Sequence, residues 1–143
     1  MIAVLDASVV LKWFFTSRSD ENAIEYAMAV LRAVASDQLT LIQPPHFVAE
    51  VATVLAREKP ETATEELADL MQIEWQVRGE TNDYEQAMQM ASQLNHHLFD
   101  TLYHAVALNT PGAVFITADA RYHRRASAHF GQSMLLKHFS APA

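Results

Sequence analysis

Short apolar stretches alternate with longer amphipathic stretches along this chain. The apolar runs, rich in β-branched residues, predict buried strands at Ile2–Leu5, Leu39–Ile42, Ile73–Val77, Val114–Thr117 and Met134–Leu136. Between these runs, apolar residues recur at spacings of three and four, which predicts helices. Strands alternating with helices are typical of a parallel sheet covered on both faces. The pattern therefore predicts a three-layer α/β/α fold with a central parallel sheet of about five short strands.

Capping and breaking residues mark the ends of the predicted helices. Ser8 is expected to cap a helix over Val9–Phe15, and Asp20–Glu21 is expected to begin the next helix. Further helices are predicted from Pro44–Pro45 to about Glu58, from Pro60 onwards, over Asp83–Leu94, over Asp100–Leu108 and over Ala120–Phe130. Because no linker, repeat or low-complexity segment interrupts the pattern, we expect one domain over residues 1–143.

Composition excludes several classes of protein. Half of the 143 residues are hydrophobic and 19% are charged, which excludes a disordered chain. The absence of cysteine excludes a disulfide framework and a thiolate metal site. Asp6 and Lys12 interrupt the first apolar run well short of the roughly 18 residues that a membrane span needs. We therefore expect a cytoplasmic protein without a membrane segment.

Net charge narrows the possible functions. Ten basic and 17 acidic residues give −7 with neutral histidines. Binding of nucleic acid by charge alone depends on clustered Lys and Arg, so this sum disfavours a plain nucleic-acid binder. If four carboxylates held metal ions, the rest of the chain would carry about −3, which is −7 plus 4. A metal-dependent nuclease therefore remains possible.

Acidic residues stand where parallel α/β sheets place their active sites, beyond the carboxyl ends of strands. Asp6 ends the first predicted strand, and Asp119 follows the strand Val114–Thr117. Asp100 stands at the start of a predicted helix. Each alone could be an acidic residue that favours a helix dipole or caps a helix. Because two of the three follow strands of the central type, we favour a shared site.

Glu50 lies on a polar stripe of its predicted helix. Helical projection places a large apolar arc on one side and a run of alanines on the other. Between them, polar residues recur at spacings of four, three and four, namely His46, Glu50, Thr53 and Arg57. The stripe is either a solvated face held by local ion pairs or the side of a twice-packed helix that faces a cleft.

A cluster of carboxylates suits a hard divalent cation. Mg²⁺ and Mn²⁺ prefer oxygen ligands, and three or four carboxylates offset their charge. Without a metal, the same charges would repel one another and raise each other's pKa. With one or two ions, such a site can activate water and stabilise a phosphate during in-line displacement.

The sequence resembles PIN-domain proteins, particularly the VapC-type toxins of bacterial toxin–antitoxin pairs. The resemblance lies in four blocks, LDASVVLKWF (5–14), PPHFVAEVATVL (44–55), FDTLYHAVAL (99–108) and FITADAR (115–121). It implies a Mg²⁺- or Mn²⁺-dependent endoribonuclease that hydrolyses RNA phosphodiester bonds with a metal-activated water. It also implies a cognate antitoxin and a homodimer of toxin subunits.

The resemblance also implies which residues form the site. Its four acidic members would be Asp6, Glu50, Asp100 and Asp119. Asp6 and Asp100 would be the firmest metal ligands, and Glu50 would bind directly or through water. Ser8 and Thr117 match small hydroxyl residues of the family beside the first and last acids. Many relatives carry Asn at the place of Thr53, whose shorter hydroxyl could still form a hydrogen bond within the site.

Basic residues offer candidate contacts to RNA. Arg121, Arg124 and Arg125 share one face near the start of their helix, where cations oppose the helix dipole. A phosphate backbone or the carboxylates of a partner would compensate them, whereas the alternative is a solvated face. Lys12, a turn and a half beyond Asp6, has the same two interpretations.

Three further features admit a structural interpretation beside a functional one. His104 stands four residues after Asp100 and could meet it, although a structural histidine is the expectation. Trp13–Phe15 sweep too wide an arc to face one sheet, so either a neighbouring helix covers them or they form an interface for a dimer mate or antitoxin. Core or helix-packing positions are predicted for three methionines, Met71, Met88 and Met90.

Two other functions compete with the ribonuclease. An aspartyl-phosphate domain, a receiver or a phosphatase, also carries acids after parallel strands. The segment DASVV, however, lacks the second acid two places after Asp6 that such phosphatases use, and no lysine follows a late strand where a receiver needs one. A catalytically silent binding module with the same fold is the alternative from another class. The four retained carboxylates argue against it, because a silent protein would be free to lose them.

Overall fold

The structure, a computed structural model, describes residues 1–17 and 21–143. Asp20, predicted to begin the second helix, therefore lies outside the described residues. The strands are β1 (Ile2–Leu5), β2 (Thr40–Gln43), β3 (Gln76–Val77), β4 (Ala113–Thr117) and β5 (Ser133–Leu135). The helices are α1 (Ala7–Leu11), α2 (Glu21–Ala35), α3 (Phe47–Glu58), α4 (Ala63–Leu70), α5 (Thr81–Leu94), α6 (Leu98–Leu108), α7 (Ala120–Ser127) and a 3₁₀ turn at Leu136–His138.

The five strands form one parallel sheet in the order β3-β2-β1-β4-β5. The predicted α/β/α class with a five-stranded parallel sheet is therefore confirmed. The chain builds outward from β1 to β3 and then restarts on the other side with β4. This reversal makes the edge between the carboxyl ends of β1 and β4 the topological switch point, where ligands bind in such sheets.

A buried amide holds the end of β1 in place. Backbone pairing of β1 with β2 is registered at Ile2 and Ala3. Further along, Gln43 at the end of β2 is fully buried and continues the ladder with its side chain. Its Nε2 donates to the Leu5 carbonyl at 2.9 Å, and its Oε1 accepts the Leu5 N–H at 2.7 Å. Leu5 is thus held on the β2 side, immediately before Asp6.

Helix α6 forms the most deeply buried part of the helical layers. It packs against β1, β2 and β4 and forms a hairpin with α5. Every side chain from Thr101 to Ala107 is buried, so only its ends meet solvent. The helix predicted over Asp100–Leu108 is therefore present, begins two residues earlier and is covered on nearly all sides.

Several predicted boundaries were wrong. The first helix covers Ala7–Leu11 and is followed by turns, and its N-cap is Asp6 rather than Ser8. Pro60 lies in a turn before α4, which begins at Ala63, and α7 ends at Ser127 before the predicted Phe130. The third strand shrinks to Gln76–Val77 because both residues are exposed at the sheet edge and little buried surface supports a longer strand.

The aromatic run Trp13–Phe15 is covered by neighbouring helices, as the structural interpretation predicts. The Trp13 indole donates to the carbonyl of Ala27 in α2 at 2.8 Å. Lys59, at the end of α3, donates to the Phe14 carbonyl at 2.7 Å and lies over the Phe15 ring. All three aromatic side chains are therefore partly buried against the core.

The three methionines divide. Met90 faces the core of α5 and is fully buried. Met71 and Met88 are 53% and 61% exposed, so their prediction as core or packing residues was wrong. Met88 lies on the outer face of α5, while Ala87 and Met90 turn inward, and Met71 follows the last turn of α4.

Candidate metal site and active site

Asp6 lies at the switch point between β1 and β4. Its N–H donates to the carbonyl of Ile116 at 3.0 Å, which continues the β1–β4 pairing by one residue. Its Oδ2 accepts hydrogen bonds from Ser8 Oγ at 2.6 Å and Thr117 Oγ1 at 3.0 Å. The carboxylate is thus directed by two hydroxyls, one from each of the elements that meet here.

The same two hydroxyls join the first and last predicted acids. Thr117 Oγ1 also accepts the N–H of Asp119 at 3.0 Å, and Ser8 Oγ accepts the N–H of Ala118 at 3.2 Å. Because each hydroxyl donates to Asp6 and accepts from the segment after β4, the two strand ends are fixed relative to each other. The Ser8 side chain serves this link, so its predicted role as a helix cap was wrong.

Asp119 begins α7 as its N-cap. Its Oδ1 accepts the N–H of Tyr122 at 3.0 Å, and the side chain is otherwise exposed. A lone acidic residue at a helix start would behave in the same way. The Asp119 N–H is also linked to Asp6 through the Thr117 hydroxyl, and an ordinary N-cap residue would not need this link.

Asp100 lies in the first turn of α6, where the cap is His97, so the interpretation of Asp100 as an N-cap was wrong. Its Oδ2 lies 2.7 Å from Nε2 of His96, which precedes the helix. Sequence reasoning missed His96. His104 was considered because it lies four residues after Asp100. His96 lies four residues before Asp100, so the same spacing could have pointed to it.

Glu50 projects from the first turn of α3 towards the same edge. Its Oε1 is buried and lies 3.2 Å from His46 Nε2. That nitrogen directs its proton to the Phe99 carbonyl at 2.7 Å. Among the described residues, Oε1 forms no hydrogen bond of good geometry, and the buried hydroxyl of Tyr103 is the donor that lies beside Glu50.

Electrostatic effects show that the four acids act on one region. Burial, together with the charges of Asp100 and Glu50, raises the pKa of Asp6 to about 6, against the hydrogen bonds from Ser8 and Thr117 that lower it. The pKa of Tyr122 is raised first by burial and then by Asp100, Asp6 and Asp119. The fold therefore brings all four predicted acids to the same edge of the sheet.

Tyr103 belongs to this region, and sequence reasoning missed it. Its side chain is fully buried in α6. Burial raises the pKa of its hydroxyl, and the charges of Glu50, Asp6 and Asp100 raise it further. The phenol therefore stays protonated and can serve the acidic region as a neutral donor only.

Two predicted neighbours of the site lie elsewhere. Thr53 is exposed, and its hydroxyl donates to the Ala49 carbonyl of its own helix at 2.7 Å, so it forms no hydrogen bond within the site in this structure. His104 does not meet Asp100. Its Nδ1 accepts from the Tyr122 hydroxyl at 3.0 Å and its Nε2 donates to the Gly131 carbonyl at 2.8 Å. Burial lowers its pKa, so His104 is the structural histidine that was expected.

The candidate RNA-contacting cations differ in their availability. Arg125 donates to the Leu94 carbonyl at the end of α5 and is thereby tied to the protein. Arg121 and Arg124 are exposed along the outer side of α7. Lys12, at the end of α1, is partly buried and faces a cavity beside the acidic edge.

The donor set fits a hard divalent cation. Every candidate ligand is a carboxylate, and the pKa of Asp6, raised to about 6 by burial and by two neighbouring carboxylates, indicates negative charge that the protein offsets only in part. In the described ranges, no three acidic or histidine side chains lie close enough together to surround one ion. The chemistry of the donors supports the fit, and the spacing of the side chains leaves the ligand set open.

The fold and the acidic edge together define an α/β protein that gathers carboxylates at the switch point of a short parallel sheet. The family model of the PIN domain matches residues 3–128. The chain therefore belongs to the PIN domain family. No curated protein matches the sequence significantly.

Among solved structures, the chain is similar to the VapC20 toxin of Mycobacterium tuberculosis, which cleaves the sarcin–ricin loop. The two superpose with a TM-score of 0.63 over 92% of this chain and 98% of that chain, at 17% sequence identity. At this identity the likeness shows the shared fold. Within the described residues, no helix is long and apolar enough to cross a membrane.

Proposed function

We propose that this protein is a Mg²⁺- or Mn²⁺-dependent endoribonuclease that hydrolyses phosphodiester bonds at the acidic edge of the sheet. The observation that carries the proposal is the carboxylate of Asp6. It is partly buried, faces two further carboxylates and has a pKa raised to about 6, although two hydroxyls support its charged form. A divalent cation would offset the charge that the fold concentrates there.

Asp6 and Asp100 would hold the ion, Asp119 would complete the ligand set, and Glu50 would bind directly or through water. When bound, such an ion stabilises the charge of a phosphodiester and lowers the pKa of water. Ser8 and Thr117 orient Asp6 and favour its ionised form. His96 fixes one oxygen of Asp100, which leaves the other oxygen for a ligand.

The partners we propose follow from the likeness to VapC20. We propose that the chain, as a single domain over residues 1–143, is the toxin of a toxin–antitoxin pair. A cognate antitoxin would inhibit it. The toxin would form a homodimer and cut RNA in the cytoplasm. Membership of the PIN domain family and the shared fold support this assignment. Arg121 and Arg124, exposed on α7, remain candidates for RNA contacts beside Lys12, whereas Arg125 has a partner within the protein.

The competing hypothesis is a catalytically silent binding module, which the open spacing of the carboxylates would suit. RNA cleavage by metal-stripped protein, with Mg²⁺ or Mn²⁺ restored, separates the two. We expect cleavage that requires the ion and that Asp6→Asn abolishes. Asp69→Asn, at an exposed aspartate of α4, serves as a charge-matched control and should cleave like the parent. Ion-independent cleavage, or full activity of Asp6→Asn, would contradict the proposal.

A further inference from the structure

A cavity of about 260 Å³ opens beside the acidic edge. The residues flanking Asp119, Ala118 and Ala120, form part of its wall, and Leu135 lines it from the end of β5. Lys12 and Lys137 line it at the ends of α1 and of the 3₁₀ turn, and Tyr26 contributes an aromatic ring from α2. Apolar walls therefore meet two cations and a tyrosine in one cavity.

The wall of the cavity is linked to the candidate active site. Ala118, in this wall, donates its N–H to Ser8 Oγ at 3.2 Å, and Ser8 Oγ donates to Asp6 Oδ2 at 2.6 Å. One hydroxyl group therefore bridges the wall of the cavity and the Asp6 carboxylate. A ligand that extends from Asp6 across Ala118 would reach this cavity.

The two lysines have no acidic partner among the described residues. The sequence contains three lysines, and the third, Lys59, is ion-paired with Glu66. Lys12 and Lys137 pair with no carboxylate among the side chains that the structure describes, which are those of residues 1–17 and 23–143. In a chain of net charge −7, two ammonium groups in one cavity without a described acidic partner favour an anionic ligand.

The remaining lining favours a nucleotide over a simple anion. The ring of Tyr26 is 37% exposed and stands beside small apolar residues, which is a surface on which a base can stack. Single-stranded RNA is bound by such pairing of aromatic side chains with cations, the ring taking the base and the cations the backbone. An acidic peptide would use the lysines but would have no use for the aromatic wall.

We propose that this cavity binds one nucleotide of the RNA strand adjacent to the cleaved linkage. Lys12 and Lys137 contact its phosphate, and its base lies against Tyr26. The choice of RNA as ligand rests on the proposed function. The cavity would direct the strand from Asp6 towards α2 and the end of β5.

Binding measured without cleavage tests this proposal. The protein carries Asp6→Asn, and the probe is a short fluorescein-labelled single-stranded RNA, followed by fluorescence anisotropy in Mg²⁺ at several salt concentrations. Adding Lys12→Ala and Lys137→Ala should weaken binding at least about tenfold at low salt and reduce the slope of log affinity against log salt by about 0.7, the value for one phosphate of a single strand. Arg32→Ala, an exposed cation in the last turn of α2, is the charge control and should change affinity less than about twofold.

Tyr26 supplies a second, uncharged readout. Tyr26→Phe keeps the ring and should bind RNA like its parent, whereas Tyr26→Ala should lose at least about fivefold without changing the salt slope. Equal affinity of these two variants would overturn the stacking assignment.

Two results would overturn the proposal as a whole. One is a lysine double variant that binds RNA like the Arg32→Ala control. The other is an oligoglutamate peptide that competes as well as unlabelled RNA, since the cavity would then take an acidic partner. If the parent cleaves RNA but the lysine substitutions leave its RNA affinity unchanged, only the proposed role of the cavity would be contradicted. RNA binding through these lysines by a parent that never cleaves would contradict only the proposed function.

Discussion

Asp6 and Asp83 are carboxylates withdrawn from solvent in the same fold, yet their pKa values move in opposite directions. Asp83, at the start of α5, is fully buried, and burial acts to raise its pKa. Hydrogen bonds from Asn109, the Glu80 N–H and Arg78 outweigh that effect and lower it. Burial also raises the pKa of Asp6, and the charges of Asp100 and Glu50 add to the rise. Two hydroxyl donors oppose this rise without cancelling it, so the pKa of Asp6 is about 6.

This difference separates a structural acid from a functional one. At Asp83 the protein supplies a cation, an amide and a backbone donor, and the carboxylate joins the start of α5 to the end of α6. At the other end of this helical hairpin, Asp100 and its acidic neighbours gather charge that no Lys or Arg offsets with an ion pair among the described residues. Burial alone therefore does not identify a site, whereas an uncompensated buried charge indicates an absent ligand.

The largest expected effect on stability is at Asp83. Asp83→Asn removes the fully buried charge that accepts hydrogen bonds from Arg78, Asn109 and the Glu80 N–H. It should lower the free energy of unfolding by about 3 kcal/mol, because a buried, hydrogen-bonded charge pair is broken. Chemical denaturation at neutral pH measures this. Metal-dependent cleavage per folded molecule should be unchanged. A loss of cleavage in folded Asp83→Asn protein would contradict the assignment of Asp83 as a structural acid.

In metal-free protein, Asp6→Asn should raise the free energy of unfolding, whereas Asp83→Asn should lower it. Because folding raises the pKa of Asp6, the aspartate costs stability as pH rises from about 4 through about 6. The variant should therefore match the parent at pH 4 and exceed it by about 1–2 kcal/mol above pH 6. Denaturation curves across this range test the sign. A variant less stable than the parent at pH 7 would show that Asp6 is compensated after all.

His104 extends the comparison to a buried base. Its folded-state pKa is lowered by burial, and Nδ1 already accepts the Tyr122 hydroxyl proton. Stability should therefore be lost as pH falls below about 6.5, by about 1 kcal/mol at pH 5.5, because the unfolded chain takes up the proton first. His104→Gln should lack this slope. An equal slope in the variant would assign the acid sensitivity to another group.

Thr53 should have the smallest effect. Its hydroxyl bonds to its own helix at Ala49, so Thr53→Val should change unfolding free energy by less than about 0.5 kcal/mol. Cleavage should stay within about twofold of the parent, which an RNA cleavage assay measures. A tenfold loss of cleavage in Thr53→Val would show that the Thr53 hydroxyl takes part in the active site.

The parallel sheet, the α/β/α class and the acids at the strand ends could be predicted from the sequence. They depend on the local pattern of apolar residues and on the rule that active sites lie beyond the carboxyl ends of parallel strands. Asp6 and Asp119 could be found as the residues after apolar runs. Gln43, His46, His96 and Tyr103 could not, because their contacts join segments distant in the chain or exist only once burial is known. The same limit explains Ser8, whose hydroxyl turns from its own helix to the backbone after β4.

The measurement that tests the central claim most directly is calorimetric titration of metal-stripped protein with Mn²⁺. The comparison of Asp6 with Asp83 predicts saturable binding in the parent and in Asp69→Asn, and at least about tenfold weaker binding in Asp6→Asn, since a ligand carboxylate is lost. Equal Mn²⁺ binding by all three proteins, or none by the folded parent, would contradict a cation site at Asp6.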